Sequence, residues 1–256
     1  MSTIDLNCDL GESFGAYTIG ADEAVMASIS SANVACGYHA GDPSVMRRTV
    51  QLARDAGVAV GAHPGFPDLV GFGRREMRIA PKDVEDLVLY QIGALAAIAH
   101  GGGIRLSHVK PHGALYNMAV KDRWLADAIA RAVAAFDPSL ILFGLPNSDL
   151  ARAGQAAGLQ VALEGFADRS YEPDGSLTPR SRAGAVIHDV DVVVERAVRM
   201  AAEGIAIAAD GSELSIHVDT ICTHGDTPGA QALTRALRAG LEKAGITVGA
   251  VARTPR

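Results

Sequence analysis

A short apolar run that ends in polar, chemically capable residues, followed by a helical pattern, recurs along most of this chain. That alternation restricts the fold to parallel β/α architecture. The strand candidates are Ile4 to Cys8, Ala32 to Cys36, Val58 to Ala62, Arg105 to Val109, Leu140 to Phe143 and Gln160 to Leu163. Several are apolar at consecutive positions, as strands covered on both faces should be. Ser44 to Asp55 is predicted as a helix: Asp42 can cap it, Pro43 suits its first position, apolar residues recur at Val45, Met46, Thr49, Val50 and Ala53, and Gly57 stops it. Pro81 to His100, Asp122 to Phe136, Ser148 to Ala157, Asp191 to Glu203 and Pro228 to Ala244 repeat the pattern. One stretch departs from it. Ile205 to Ala208 and Leu214 to Val218 flank Asp210-Gly211, which predicts an antiparallel hairpin inserted near 205–218. Gly165 to Ile187 is a long polar loop without helical period, the kind that usually carries function. No composition shift divides the chain, so residues 1–256 read as a single β/α-barrel domain or a distorted relative, with a doubly wound open sheet as the alternative.

Composition narrows the partners. A 256-residue chain that is 48% hydrophobic has ample material for one core and needs no metal or disulfide merely to fold. Its 23 Lys and Arg against 29 Asp and Glu leave a net charge of −6, the wrong sign for affinity built on phosphate neutralisation, so nucleic acid is not an expected partner. Three cysteines, Cys8, Cys36 and Cys222, cannot all pair internally and fit a reducing compartment. The first basic residue is Arg47, unlike a secretory signal, and the most nearly apolar stretch, Leu87 to Ala99, falls well short of the roughly 20 residues needed to span a bilayer. A cytoplasmic protein without membrane contact is expected.

In such architectures the site gathers at the C-terminal ends of the strands. Here those ends read Asn7-Cys8-Asp9-Leu10-Gly11-Glu12, Cys36-Gly37-Tyr38-His39, Ala62-His63-Pro64, His108-Val109-Lys110-Pro111-His112, Glu164-Gly165-Phe166-Ala167-Asp168-Arg169 and Cys222-Thr223-His224-Gly225-Asp226. Five of the eight histidines fall there: His39, His63, His108, His112 and His224. Asp42 before Pro43 is explained by helix capping alone, the cysteines by packing, and His108 either by packing or by the site. Asp9, His39 and His63 on neighbouring strand ends can converge as a carboxylate–imidazole–imidazole metal set, or serve as acid and base without metal. Lys110 can form a Schiff base or hold a carboxylate or phosphate. The chain contains no Gly-Lys pair, and Gly71-Phe72-Gly73 and Gly101-Gly102-Gly103 lack the rest of a dinucleotide fingerprint, so any nucleotide is bound unconventionally or by a partner.

Taken together, Asn7 to Glu12, Ser31 to Asp42, Gly61 to Asp68 with Phe72-Gly73-Arg74, His108 to Asn117, Phe166 to Arg169 with Asp174 to Leu177 and Pro179-Arg180, and His224 to Asp226 resemble the LamB/YcsF family over essentially the whole chain. Members of that family serve as the A subunit of the prokaryotic ATP-dependent 5-oxoprolinase. The resemblance implies a (β/α) barrel related to glycoside hydrolases and carbohydrate deacetylases, distorted or seven-stranded. It also implies hydrolysis of 5-oxo-L-proline to L-glutamate coupled to ATP, with the oxoprolinase B and C subunits as partners. On that chemistry Asp9 or His63 is expected to activate water, His39 and His112 to transfer protons, and Lys110 to neutralise an oxyanion or phosphate. Arg169 and Arg180 are expected to clamp the substrate carboxylate, with Asn7, Glu12, Glu164, His224 and Asp226 as further substrate contacts. The rival readings are a metal-dependent deacetylase working without ATP, a non-catalytic chain that only binds substrate or partners and, more distantly, a Lys110 aldolase.

Overall fold

A computed structural model describes residues 2–224 and 229–254. Among them, seven parallel strands form a closed ring: β1 (Thr3–Leu10), β2 (Ser31–Ala35), β3 (Ala59–His63), β4 (His108–Val109), β5 (Ile141–Gly144), β6 (Gln160–Phe166) and β9 (Thr220–His224), with β9 pairing both β6 and β1. The helices around it are α1 (Asp22–Met26), α2 (Pro43–Ala56), α3 (Pro81–Gly101), α4 (Gly113–Ala119), α5 (Arg123–Phe136), α6 (Asp149–Ala156), α7 (Val190–Glu203) and α8 (Ala230–Lys243). β7 (Ile205–Ile207) and β8 (Glu213–Ser215) form the expected antiparallel hairpin between α7 and β9. No helix among the described residues is long and apolar enough to cross a membrane.

Local chemistry accounts for most element ends. The Asp42 carboxylate accepts from the backbone N–H of Ser44 at 2.8 Å and Val45 at 2.9 Å, and Gly57 closes α2 in the left-handed conformation at φ 68°. Asp122 and Ser148 cap α5 and α6 in the same way. Elsewhere the structure differs from the sequence reading. α1 and α4 were not expected, because helices of 5 and 7 residues show too little periodicity. β4 is paired only over His108–Val109, short of the expected start at Arg105; instead the Leu106 carbonyl accepts from Arg253 near the barrel's base. The described part of α8 begins at Ala230, and Pro228 lies outside the described residues.

The period-two alternation of the strands sorts the barrel into two environments. On β1, Ile4, Leu6, Cys8 and Leu10 join the main apolar core under the helices, whereas Asp5, Asn7 and Asp9 meet polar side chains of other strands in the interior. A small separate apolar cluster of Ile141, Phe143 and Ala162, packed against Val251, fills another part of the interior. The C-terminal segment closes the base of the ring: β10 (Thr247–Val248) pairs with Thr3 and Ile4, and Gln160 Nε2 donates to the Ala252 carbonyl at 2.9 Å. The opposite mouth, at the strand C-termini, is left for chemistry.

Candidate active site at the barrel mouth

A cavity of about 880 Å³ opens at that mouth. Its wall includes Asp9 and Glu12 from the end of β1, His63 from β3, Lys110 and His112 after β4, and Arg169, Thr178 and Arg180 from the long loop after β6. That loop is ordered by its own backbone: Thr178 N–H donates to Ser170 O at 2.9 Å and Ile187 N–H to Asp168 O at 2.8 Å.

Lys110 is the buried centre of this wall. Its Nζ lies 2.8 Å from Asp9 Oδ1, 3.0 Å from Glu164 Oε1, 2.9 Å from Cys222 Sγ and 3.3 Å from Asn7 Oδ1. Burial opposes its charge, but Asp9, Cys222 and Glu164 outweigh burial and hold the amine well above the ordinary lysine range. A Schiff base needs a neutral amine, and an ammonium set between the Asp9 and Glu164 carboxylates does not favour the aldolase reading. Cys222, buried and free, is part of this cluster and more than a packing residue.

The imidazoles form the second half. His63 Nδ1 lies 2.7 Å from the Lys110 carbonyl and His112 Nε2 lies 2.8 Å from the Phe72 carbonyl. Carbonyls only accept, so both nitrogens carry hydrogen. In the neutral rings His63 Nε2 and His112 Nδ1 are then bare lone pairs, yet they face each other at 2.9 Å, with Asp9 Oδ2 3.3 Å from the former. Such a contact is favourable only with a shared proton or a cation between the groups. His39 stacks on His112 at a ring separation of 3.8 Å, and although it is buried neither of its nitrogens has a hydrogen-bond partner. Burial, followed by the neighbouring histidines, pushes His39 and His112 well below the usual histidine range, toward the neutral, metal-ligating form. Ligand atoms of Glu12, His39, His63 and His112 lie within 4.8 Å of one another. The backbone is shaped to these rings. Phe72 is held at φ 55°, and a Cβ on Gly73 would sit 2.7 Å from His39 Cβ and 2.8 Å from His112 Cδ2.

Asp9, His63, Lys110 and His112 therefore share one wall. His39 lies against that wall, stacked on His112, without lining the cavity. The expected metal set of Asp9, His39 and His63 differs from the observed grouping, in which Glu12 and His112 join the two histidines. Asp9 Oδ1 is already engaged by Lys110 and by Asn33 Nδ2 at 2.8 Å. Asn7 and Glu164 do not line the cavity; both contact Lys110 from within the barrel, and Asn7 Nδ2 donates to Glu164 Oε1 at 3.1 Å and Thr220 Oγ1 at 2.7 Å. The guanidinium of Arg169 is braced by backbone, donating to Thr178 O at 2.7 Å and Ala185 O at 3.1 Å, and burial lowers it to about 10, still cationic at neutral pH. His224 ends β9 in register with Asp9, and Asp226 lies outside the described residues.

Three participants escaped the sequence reading of the site. Asn33 holds Asp9. Tyr116 brings its phenol to the same wall, where burial and then the Glu164 carboxylate push it well above the ordinary tyrosine range. The buried hydroxyl of Thr178 lacks a hydrogen-bond partner beside Arg169 and Arg180. The alternation of Asn33 with apolar neighbours on β2 was the available signal for the first.

The fold and this mouth define a seven-stranded β/α-barrel protein with a cluster of carboxylates, imidazoles and a lysine, including a group able to hold a metal ion, at the C-terminal ends of its strands. The chain belongs to the LamB/YcsF family, whose model matches residues 4–256. It is 56% identical over 253 residues to the A subunit of 5-oxoprolinase from Bacillus subtilis, covering 98% of each chain. To the corresponding 5-oxoprolinase chain of Chloroflexus aggregans it is 56% identical over 256 residues, the whole of both chains. Among solved structures it is similar to a lactam utilization protein from Thermus thermophilus, at 51% identity and a TM-score of 0.93, covering 97% of this chain and 100% of that one. A peptidoglycan N-acetylglucosamine deacetylase catalytic domain from Eubacterium rectale, at 12% identity, TM-score 0.52 and coverage of 99% and 90%, shares the fold alone.

Proposed function

We propose that this chain is the A subunit of an ATP-dependent 5-oxoprolinase and supplies the site at which the lactam ring of 5-oxo-L-proline is opened to L-glutamate. The observation that carries the reading is the convergence of Asp9, His63, His112 and the Lys110 ammonium on one cavity wall, in a chain whose full-length relatives bear that name.

An unstrained five-membered lactam is a poor electrophile, and its opening gains little free energy at neutral pH. Phosphorylation of the lactam oxygen at the expense of ATP, together with the partner B and C subunits, overcomes both obstacles. Water then adds to the ring carbonyl carbon, the C–N bond breaks with a proton delivered to nitrogen, and a second water releases the phosphate. Asp9 and His63, 3.3 Å apart, are the pair that accepts the proton of the attacking water. His112, with His39 stacked on it, returns a proton to the leaving nitrogen. Lys110 presents fixed positive charge to the developing oxyanion or phosphate. Arg169 and Arg180, on the same wall as Thr178, anchor the substrate carboxylate. The unpartnered His39 nitrogens and the facing lone pairs of His63 and His112 also fit a second state in which Glu12, His39, His63 and His112 would hold a divalent cation; it would supply Lewis acidity in place of proton transfer by His63 and His112, with Asp9 as the remaining base. The use of ATP and the three free buried cysteines agree with a cytoplasmic complex.

The test is glutamate release from 5-oxoproline by the chain alone and with candidate B and C subunits, with and without ATP. Turnover is expected only from the complete set with ATP. Robust ATP-independent hydrolysis by the chain alone would favour a deacetylase-like enzyme. Near-normal turnover by complexes carrying both Asp9→Asn and His63→Asn would reduce the chain to a role in binding.

A further inference from the structure

His108 takes no direct part in this chemistry and lies within the barrel behind the cavity wall. Its surroundings are nevertheless built to hold one ring in one orientation. The ring stacks on Phe143 at 4.2 Å and 8°, and Gly61 on the neighbouring strand leaves the room, since a Cβ there would overlap the imidazole. His108 Nδ1 lies 2.7 Å from Ser107 Oγ and Nε2 lies 2.7 Å from Asn33 Oδ1. On its other side the same amide donates from Nδ2 to Asp9 Oδ1 at 2.8 Å and to Asn7 Oδ1 at 2.7 Å.

The polarity of this chain of bonds is set by its ends. Asp9, paired with the Lys110 ammonium, is an acceptor, so the Asn33 NH₂ must face it and the Asn33 carbonyl oxygen must face His108. That oxygen needs a donor, which puts hydrogen on His108 Nε2; in a neutral ring Nδ1 then accepts from the Ser107 hydroxyl at 2.7 Å, in preference to the Val60 carbonyl 3.1 Å from the same hydroxyl oxygen. A charged ring would donate from both nitrogens, but burial, then Lys110, pushes His108 down to about 3 and keeps it neutral.

We propose that His108 is a positioning residue: its Nε2–H locks the Asn33 amide, which together with Lys110 commits Asp9 Oδ1 and leaves Oδ2 aimed at His63. The proposal rests on Asp9 being the carboxylate that works with His63. Without the His108 donor the amide can rotate, bring its own oxygen against Asp9 and turn the carboxylate away.

In the assembled complex with ATP, His108→Leu is expected to lower kcat roughly 10–100-fold with KM changed by less than about twofold, the usual scale for removing a partner that orients an active-site group. His108→Gln, whose side-chain amide can donate from near the Nε2 position, is expected to recover most of the loss. Wild-type turnover by His108→Leu, equal impairment of both variants, or a loss confined to KM would each overturn the proposal. A second readout needs no turnover and so separates this proposal from the oxoprolinase reading. In ¹⁵N-histidine NMR of the unaltered chain, the signal missing from His108→Gln must report a neutral ring protonated at Nε2 across neutral pH. A ring protonated at Nδ1, or a charged ring, would refute the mechanism.

Discussion

Lys110 is the cation set between two buried carboxylates, 2.8 Å from Asp9 Oδ1 and 3.0 Å from Glu164 Oε1. Lys110→Met should destabilise the chain by about 3–5 kcal/mol, the cost of leaving buried charge uncompensated, and urea unfolding of the purified chain measures it. Asp9→Asn and His63→Asn should instead fold nearly normally and cut turnover of the complex about a hundredfold or more, the scale of general acid–base catalysis. Thr178 makes a different forecast. If its unpartnered hydroxyl faces the substrate carboxylate, Thr178→Val should raise KM for 5-oxoproline roughly tenfold or more, as expected for losing a hydrogen bond to a charged group. An unchanged KM would move the carboxylate elsewhere in the cavity. At this scale Asp9, His63, Lys110 and His112 were legible, because polar residues crowd the ends of apolar runs. The metal-capable role of Glu12 and the support from Asn33 were not, because both depend on which atoms of different strands meet.

Among the elements, α2 is the one whose local signals agree most completely: cap, N-terminal proline, apolar face and glycine stop all match the structure. The Asp42 carboxylate also accepts from Gly15 N–H at 2.9 Å, tying the loop after β1 to the helix. Asp42→Ala should cost about 1 kcal/mol from the cap alone, read as a lowered midpoint in thermal unfolding, while turnover measured well below that midpoint stays close to wild type. The elements that escaped sequence reading are α1, α4 and β10, each of which lasts less than two periods of its own pattern and owes its place to neighbours. The hairpin was legible because Asp210-Gly211 supplies turn chemistry that needs no tertiary partner.

Across the whole molecule, buried histidines make the fold acid-sensitive. His108 titrates at about 3 when folded and near 6.5 when unfolded, so below 6.5 the unfolded chain takes up a proton that the folded one refuses, and stability falls as pH drops toward 3. Between pH 7 and 5 this amounts to about 2 kcal/mol from His108. His39 and His112, also displaced downward, add to the loss in the same direction. Asp5 acts in the opposite sense. Burial raises it to about 6 from 3.8, so its contribution to stability is full below about pH 4 and is lost as pH rises through 6. Urea denaturation at pH 7 and pH 5 should therefore show net destabilisation at pH 5, reduced by about 2 kcal/mol in His108→Gln and enlarged by about 1 kcal/mol in Asp5→Asn. A flat profile for the unaltered chain would mean that these histidines are not held neutral.

The sequence by itself determined the parallel β/α order, the mouth at which chemistry collects, and the boundaries of the well-capped helices. Those properties follow from side-chain period and from capping and turn chemistry, which act within a few residues. Tertiary structure decided that β9 closes a ring of seven strands past the inserted hairpin, that Lys110 is fixed as an ammonium, and that His63 and His112 face each other across bare nitrogens. Each of these rests on groups distant in the chain, such as Lys110 against Cys222 and Asn7 against Thr220, whose protonation and orientation are set by burial and by the particular partner across the barrel. No local pattern encodes those contacts, because the electrostatics of a buried group belong to its surroundings and not to its neighbours in sequence.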